Sequence, residues 1–118
     1  MKRIYILSLV LLGFSCKKNQ LGGTSVIKGT VMHHSRFIAN ARVFIKFNAT
    51  EFPGADTTLY NAKVTADAAG NYTIKCYKGD YFLYGYGFDD QISLPVKGGL
   101  KVHIRNKEEV SIDVPVTE

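Results

Sequence analysis

From residue 26 onward the apolar positions fall on every second residue. Ile27, Gly29 and Val31 alternate with Lys28 and Thr30, and Ala41, Val43, Ile45 and Phe47 alternate with Arg42, Phe44, Lys46 and Asn48. Tyr72, Ile74 and Cys76 alternate with Thr73, Lys75 and Tyr77; Val102 and Ile104, then Val110, Ile112, Val114 and Val116, complete the pattern. A period of two marks strands with one buried face, and β-branched and aromatic residues suit that pleated surface. Turn chemistry separates the runs. Asp67-Ala68-Ala69-Gly70-Asn71 predicts a short hairpin connection, with Gly70 free to take positive φ. Lys78-Gly79-Asp80 predicts a tight reversal, Asn106-Lys107-Glu108 a link between the last two strands, and Phe52-Pro53-Gly54-Ala55-Asp56 a longer loop. No stretch of about ten residues after Cys16 carries helical periodicity. The chain shows no internal repeat and no low-complexity segment. About seven short strands predict an all-β protein, an antiparallel or mixed β-sandwich, because two stacked sheets bury both alternating faces.

Ahead of this pattern, residues 4–14 form an apolar run without alternation, preceded by Met1-Lys2-Arg3 and followed by Ser15-Cys16-Lys17-Lys18. The run is too short to cross a bilayer, which takes roughly 20 apolar residues, and its order of basic, apolar and small residues is that of a secretory signal. The cysteine directly behind it makes the segment resemble a bacterial lipoprotein signal, although Leu12 stands one place earlier than in the usual box and Phe14 is bulky. The resemblance implies a signal peptide over residues 1–15 and a lipid on Cys16. Residues 16–25 then read as the lipidated cysteine and a flexible tether, and residues 26–118 as one domain. Lipoproteins exported to the surface often carry acidic residues after the cysteine, whereas Lys17-Lys18-Asn19-Gln20 has none. The expectation is an outer-membrane anchor in the cell envelope, with the domain facing the periplasm.

Charge and cysteine usage sharpen this picture. The 118 residues carry a net charge of +5, two units of which belong to Lys2 and Arg3 and leave with the signal peptide. The modest remainder is a solvated face, so nucleic acid is not an expected partner. Lys17 and Lys18 differ, since beside a lipid anchor each can contribute about 1 kcal/mol against anionic headgroups. With Cys16 carrying lipid, Cys76 is the only thiol left, and in an oxidising compartment it is expected to be buried as a small apolar residue.

The ordered signals resemble the carboxypeptidase regulatory-like domain, a transthyretin-like or prealbumin-like sandwich. Four segments carry the resemblance: Ile27-Lys28-Gly29-Thr30-Val31; Ile38-Ala39-Asn40-Ala41-Arg42-Val43; Thr65-Ala66-Asp67 with Gly70-Asn71-Tyr72-Thr73-Ile74; and Gly79-Asp80-Tyr81-Phe82-Leu83. The resemblance covers residues 26–116. The resemblance implies a fold and not a single function, since this sandwich serves adhesins, receptor extensions and sugar-binding modules.

Catalytic constellations are thin. The hydroxyisourate hydrolases of the transthyretin-like fold carry paired His and Arg residues and a Tyr-Arg-Gly-Ser ending, whereas this chain ends Val114-Pro115-Val116-Thr117-Glu118. Adjacent His33 and His34 would point to opposite faces of a strand, with His103 distant, so surface or loop histidines are expected; zinc would need a third ligand. The Lys–Asn crosslink of some adhesins has candidate lysines in Lys28 and Lys46, but the final strand lacks Asn and Asn106 falls in a turn. The informative feature is aromatic. If Tyr81, Leu83, Gly85 and Gly87 face the core, then Phe82, Tyr84, Tyr86 and Phe88 all project from the other face of one strand. They would either form an exposed platform or lie under a loop such as residues 52–59. Asp89 and Asp90 close the strand and could supply hydrogen bonds to a sugar. The expected function is therefore a non-enzymatic, membrane-anchored binding or accessory module of the cell envelope with a protein partner. A carbohydrate-binding module on the same strand is the alternative. Neither requires a cofactor or a metal. Replacing Cys16 with Ser should abolish metabolic labelling by palmitate; labelling that survives would overturn the lipoprotein reading.

Overall fold

The computed structural model describes residues 17–118, so the signal peptide and the lipid site at Cys16 lie outside the described residues. Nine strands follow in chain order: β1 (Leu21–His33), β2 (Arg36–Phe37), β3 (Arg42–Phe47), β4 (Ala62–Thr65), β5 (Asn71–Cys76), β6 (Gly79–Asp89), β7 (Leu94–Ile104), β8 (Glu109–Ser111) and β9 (Val114–Pro115). One helical turn, of the tight 3₁₀ type at Thr57–Leu59, interrupts them. The strands form two sheets, one of order β4-β3-β6-β7 and one in which β2, β5, β8 and β9 all pair with β1. The protein is an all-β sandwich.

The alternation explains the packing. Ile27 and Val31 of β1, with Tyr72, Ile74 and Cys76 of β5, face Val43 and Ile45 of β3, Tyr81 and Leu83 of β6, and Val96, Val102 and Ile104 of β7; all are buried. Val114 and Val116 close the core from the end of the chain. Gly85 and Gly87 occupy inward positions of β6 where neighbouring segments crowd the strand. A Cβ at Gly85 would lie 3.0 Å from Val114 Cγ1, and one at Gly87 would lie 2.6 Å from Ile38 Cγ2. The two glycines therefore mark close approach of neighbouring segments, and the pairing of β6 with β7 runs through them without a bulge.

The structure departs from the sequence pattern in three places. First, residues 17–25 are not a free tether, because β1 begins at Leu21. The Asn19 N–H donates to the Lys78 carbonyl and the Tyr77 N–H to the Gln20 carbonyl, and the buried Ser25 hydroxyl donates to the Arg105 carbonyl at 2.6 Å. The glycine pair that suggested flexibility sits at an irregular step in register between Leu21 and Ser25. Second, the turn at residues 67–71 is not a hairpin: it carries the chain from one sheet to the other, as do those at residues 78–80 and 106–108. Asp67 builds the first of them, its Oδ1 accepting from the backbone N–H groups of Ala69 and Asn71. Third, β6 and β7 form a hairpin paired from Gly79↔Ile104 to Asp89↔Leu94, longer than the Val102 and Ile104 signal alone. Its outer half is Gly- and Lys-rich, which obscures the alternation.

Cys76 is fully buried, and desolvation pushes its thiol up from the ordinary value. Ile74, opposite Ile27 in the β1–β5 ladder, lies at the centre of the core. Ile74→Ala should cost about 2–5 kcal/mol in chemical denaturation. The rate at which Cys76 is labelled in native protein should rise with it, since opening then becomes more frequent.

Candidate functional site

The aromatic face of β6 is divided in two by the loop between β3 and β4. Asp56 caps the short helical turn, its Oδ1 accepting from the Thr58 N–H at 3.0 Å, and the turn delivers Phe52 and Tyr60 onto the sheet. Phe52 lies 5.7 Å from Phe82 and 5.6 Å from Tyr84, ring centre to ring centre, and Tyr60 stacks on Tyr84 at 5.6 Å. Phe44, opposite Tyr84 in the β3–β6 ladder, completes a second small core on the outside of the sheet. The Tyr60 hydroxyl donates to the Gly54 carbonyl at 2.9 Å and holds the loop down. Burial pushes the Tyr60 phenol up to about 12 and raises that of Tyr84 as well. Phe82 is 8% exposed and Tyr84 3%. Neither belongs to an open platform.

Tyr86 and Phe88 lie beyond the reach of that loop, at 38% and 51% exposure. The exposed Phe37 of β2, together with Ile92 and Leu94 at the β6–β7 turn, extends the apolar surface at this end of the sandwich. Phe88 stands between two clefts. One, of about 320 Å³, is walled by Arg36, Phe37, Phe88, Asp90 and Gln91; the other, of about 280 Å³, by Asn40, Arg42, Tyr86 and Pro95.

Asp89 borders the first cleft, but its carboxylate is buried and already engaged by neighbouring groups. The same parity that turns Tyr86 and Phe88 outward turns Asp89 inward, and it is buried. Its Oδ2 accepts from His33 Nδ1 at 2.7 Å and from Arg36 at 2.6 Å, while Oδ1 accepts from the Gln91 N–H at 2.9 Å. The His33 bond, then that of Arg36, holds this carboxyl well below the usual carboxylate range. An ionised Asp89 accepts only, so His33 carries a proton on Nδ1. Asp90, in contrast, is exposed and lines the first cleft.

The two adjacent histidines are not both surface groups. His33 is 1% exposed, on the same face of β1 as Ile27 and Val31, which its parity with them indicated. Its Nε2 lies 3.2 Å from Glu118 Oε1. His34 is exposed in the turn between β1 and β2, and His103 lies elsewhere, 2.8 Å from Asp80. Arg36, Phe37 and Glu118 carried no signal of their own in the sequence, because β2 has only two residues and Glu118 follows an isolated bridge between Lys97 and Thr117. Lys28 pairs with Glu109 at 2.9 Å on the surface, an ordinary exposed ion pair.

Tyr84→Ser should therefore destabilise the domain by about 3–5 kcal/mol through lost packing, whereas Phe88→Ser should stay within roughly 0.5 kcal/mol. Thermal melts of the two variants measure the difference directly.

No family model matches this chain, and no curated protein matches it significantly. Among solved structures it is similar to a DUF3823 family protein from Parabacteroides merdae ATCC 43184, with a TM-score of 0.49 and 13% identity. That likeness covers 79% of this chain and 45% of the other, so the chain spans less than half the length of that protein.

Proposed function

We propose that this chain is a non-enzymatic binding module of the bacterial cell envelope, anchored to the outer membrane through lipid on Cys16 and binding a protein partner through the open end of β6. The observation that carries the reading is the exposure of Tyr86 and Phe88 on a regular strand, with Phe37 sharing a cleft with Phe88. Aromatic side chains on a rigid strand lose little conformational entropy on binding, and such anchors dominate interfaces at about 2 kcal/mol or more each. Behind this surface the buried His33 and Asp89 bond each other, and the half-buried Arg36 donates to Asp89, which holds this end of the strand in place. Arg42, on the second cleft, adds a charged rim.

A sugar ligand is supported by one specific feature, the first cleft. There the Phe88 ring faces a space bordered by Arg36, Asp90 and Gln91, which combines an apolar stacking surface with hydrogen-bonding groups. Affinity capture from native envelopes, with wild type and the Tyr86→Ser/Phe88→Ser variant in parallel, tests the main reading. A partner retained by wild type and lost at least tenfold in the variant is the expected result. Selective binding on a glycan array that depends on Phe88 would move the assignment to the sugar module. Capture that ignores both substitutions would overturn this surface as the binding site.

A further inference from the structure

We propose that His33, His34 and Glu118 form a binding site for a zinc-type divalent cation at the end of β1. One nitrogen from each histidine and one Glu118 oxygen lie within 4.8 Å of one another. Their convergence is built by the backbone. His34 has a φ of 58°, in the left-handed region, and this breaks the alternation that would send two neighbouring side chains to opposite faces. The rings of His33 and His34 instead lie side by side, 4.4 Å between centres. Glu118 is brought to them by the parallel pairing of β9 with β1, continued by the bond from the Val116 N–H to the Met32 carbonyl at 2.9 Å.

The chemistry of the set fits zinc. Two imidazoles and a carboxylate are a familiar three-ligand set for that ion, which leaves a fourth position for water or an outside ligand. Two ligands on tetrahedral zinc with bonds of about 2.0–2.1 Å stand about 3.3–3.4 Å apart. His33 Nε2 and Glu118 Oε1 are already 3.2 Å apart. The second observation is the partner behind His33. A ligating histidine typically donates its other N–H to a carboxylate that fixes its tautomer and ring orientation. Asp89, buried and held in turn by Arg36 and Gln91, accepts from His33 Nδ1 and leaves Nε2 directed at Glu118. The exposed His34 and Glu118 give the ion a way in.

The test uses the purified full chain, stripped with chelator and titrated with Zn²⁺ by calorimetry and with Co²⁺ by visible absorption. One equivalent of Zn²⁺ bound with a Kd in the micromolar range or tighter, a rise in Tm on loading, and a four- or five-coordinate Co²⁺ spectrum are expected. His34→Ala and Glu118→Gln replace exposed side chains and should each weaken binding at least tenfold, and His34→Ala should leave the metal-free Tm unchanged. Asp89→Asn should weaken it about 10–100-fold with the Co²⁺ spectrum retained, the signature of a positioning residue. His103→Ala should have no effect. Absence of stoichiometric binding, or binding that survives His34→Ala, would overturn the site and leave His33 as a structural link between Asp89 and Glu118.

Discussion

Every hydrogen bond that joins the first sheet runs through one strand. β5 pairs along β1 from Leu21 to Thr30, β2 takes over at Met32 and His33, and β8 and β9 lie parallel along the opposite edge. None of these four strands pairs with another within that sheet. The register of β1 therefore decides which faces of its partners are buried, because a slip of one residue would turn Ile27, Val31 and His33 out to solvent together. The two parallel partners come from the end of the chain, so the sheet closes only after β6 and β7 have been laid down. Such non-local pairing costs loop-closure entropy before its contacts repay it.

At the end of β1 the same register plants His33 in the core, and Asp89 meets it there from the opposite sheet. One carboxylate thus connects β1, β2 and the β6–β7 turn. A lone buried carboxylate would be expensive; two charge-assisted donors and a backbone N–H offset its desolvation. This junction orients the exposed surface. It fixes Arg36 and the adjacent Phe37 beside Phe88, so the rim of the first cleft rests on a rigid base.

The outer face of the second sheet shows how a loop apportions an aromatic row. Phe82, Tyr84, Tyr86 and Phe88 are equivalent by parity on β6. Phe52 and Tyr60 cover the first two, converting them into a satellite core, and leave the last two open. Burial at one end stabilises the long β3–β4 connection. Exposure at the other supplies the only aromatic pair of β6 still available to a partner.

The sequence by itself determined the β character, the two-layer architecture and most of the core, because period-two alternation is a local property that survives any arrangement of the strands. Ile27, Val43, Ile74, Leu83 and Val114 are buried as their parity requires. Parity also places His33 and Asp89 inward, against the general tendency of charged and titratable groups to stay outside. Tertiary structure decided the rest. Which turns pass between sheets depends on partners distant in sequence, and Gly22 and Gly23 fall in a register step of the β1–β5 ladder rather than in a free tether. The division of the aromatic row depends on where the β3–β4 loop lands, which no feature of β6 encodes. The meeting of His33, His34 and Glu118 requires a left-handed residue and a parallel strand from the far end of the chain, and both arise from packing rather than spacing.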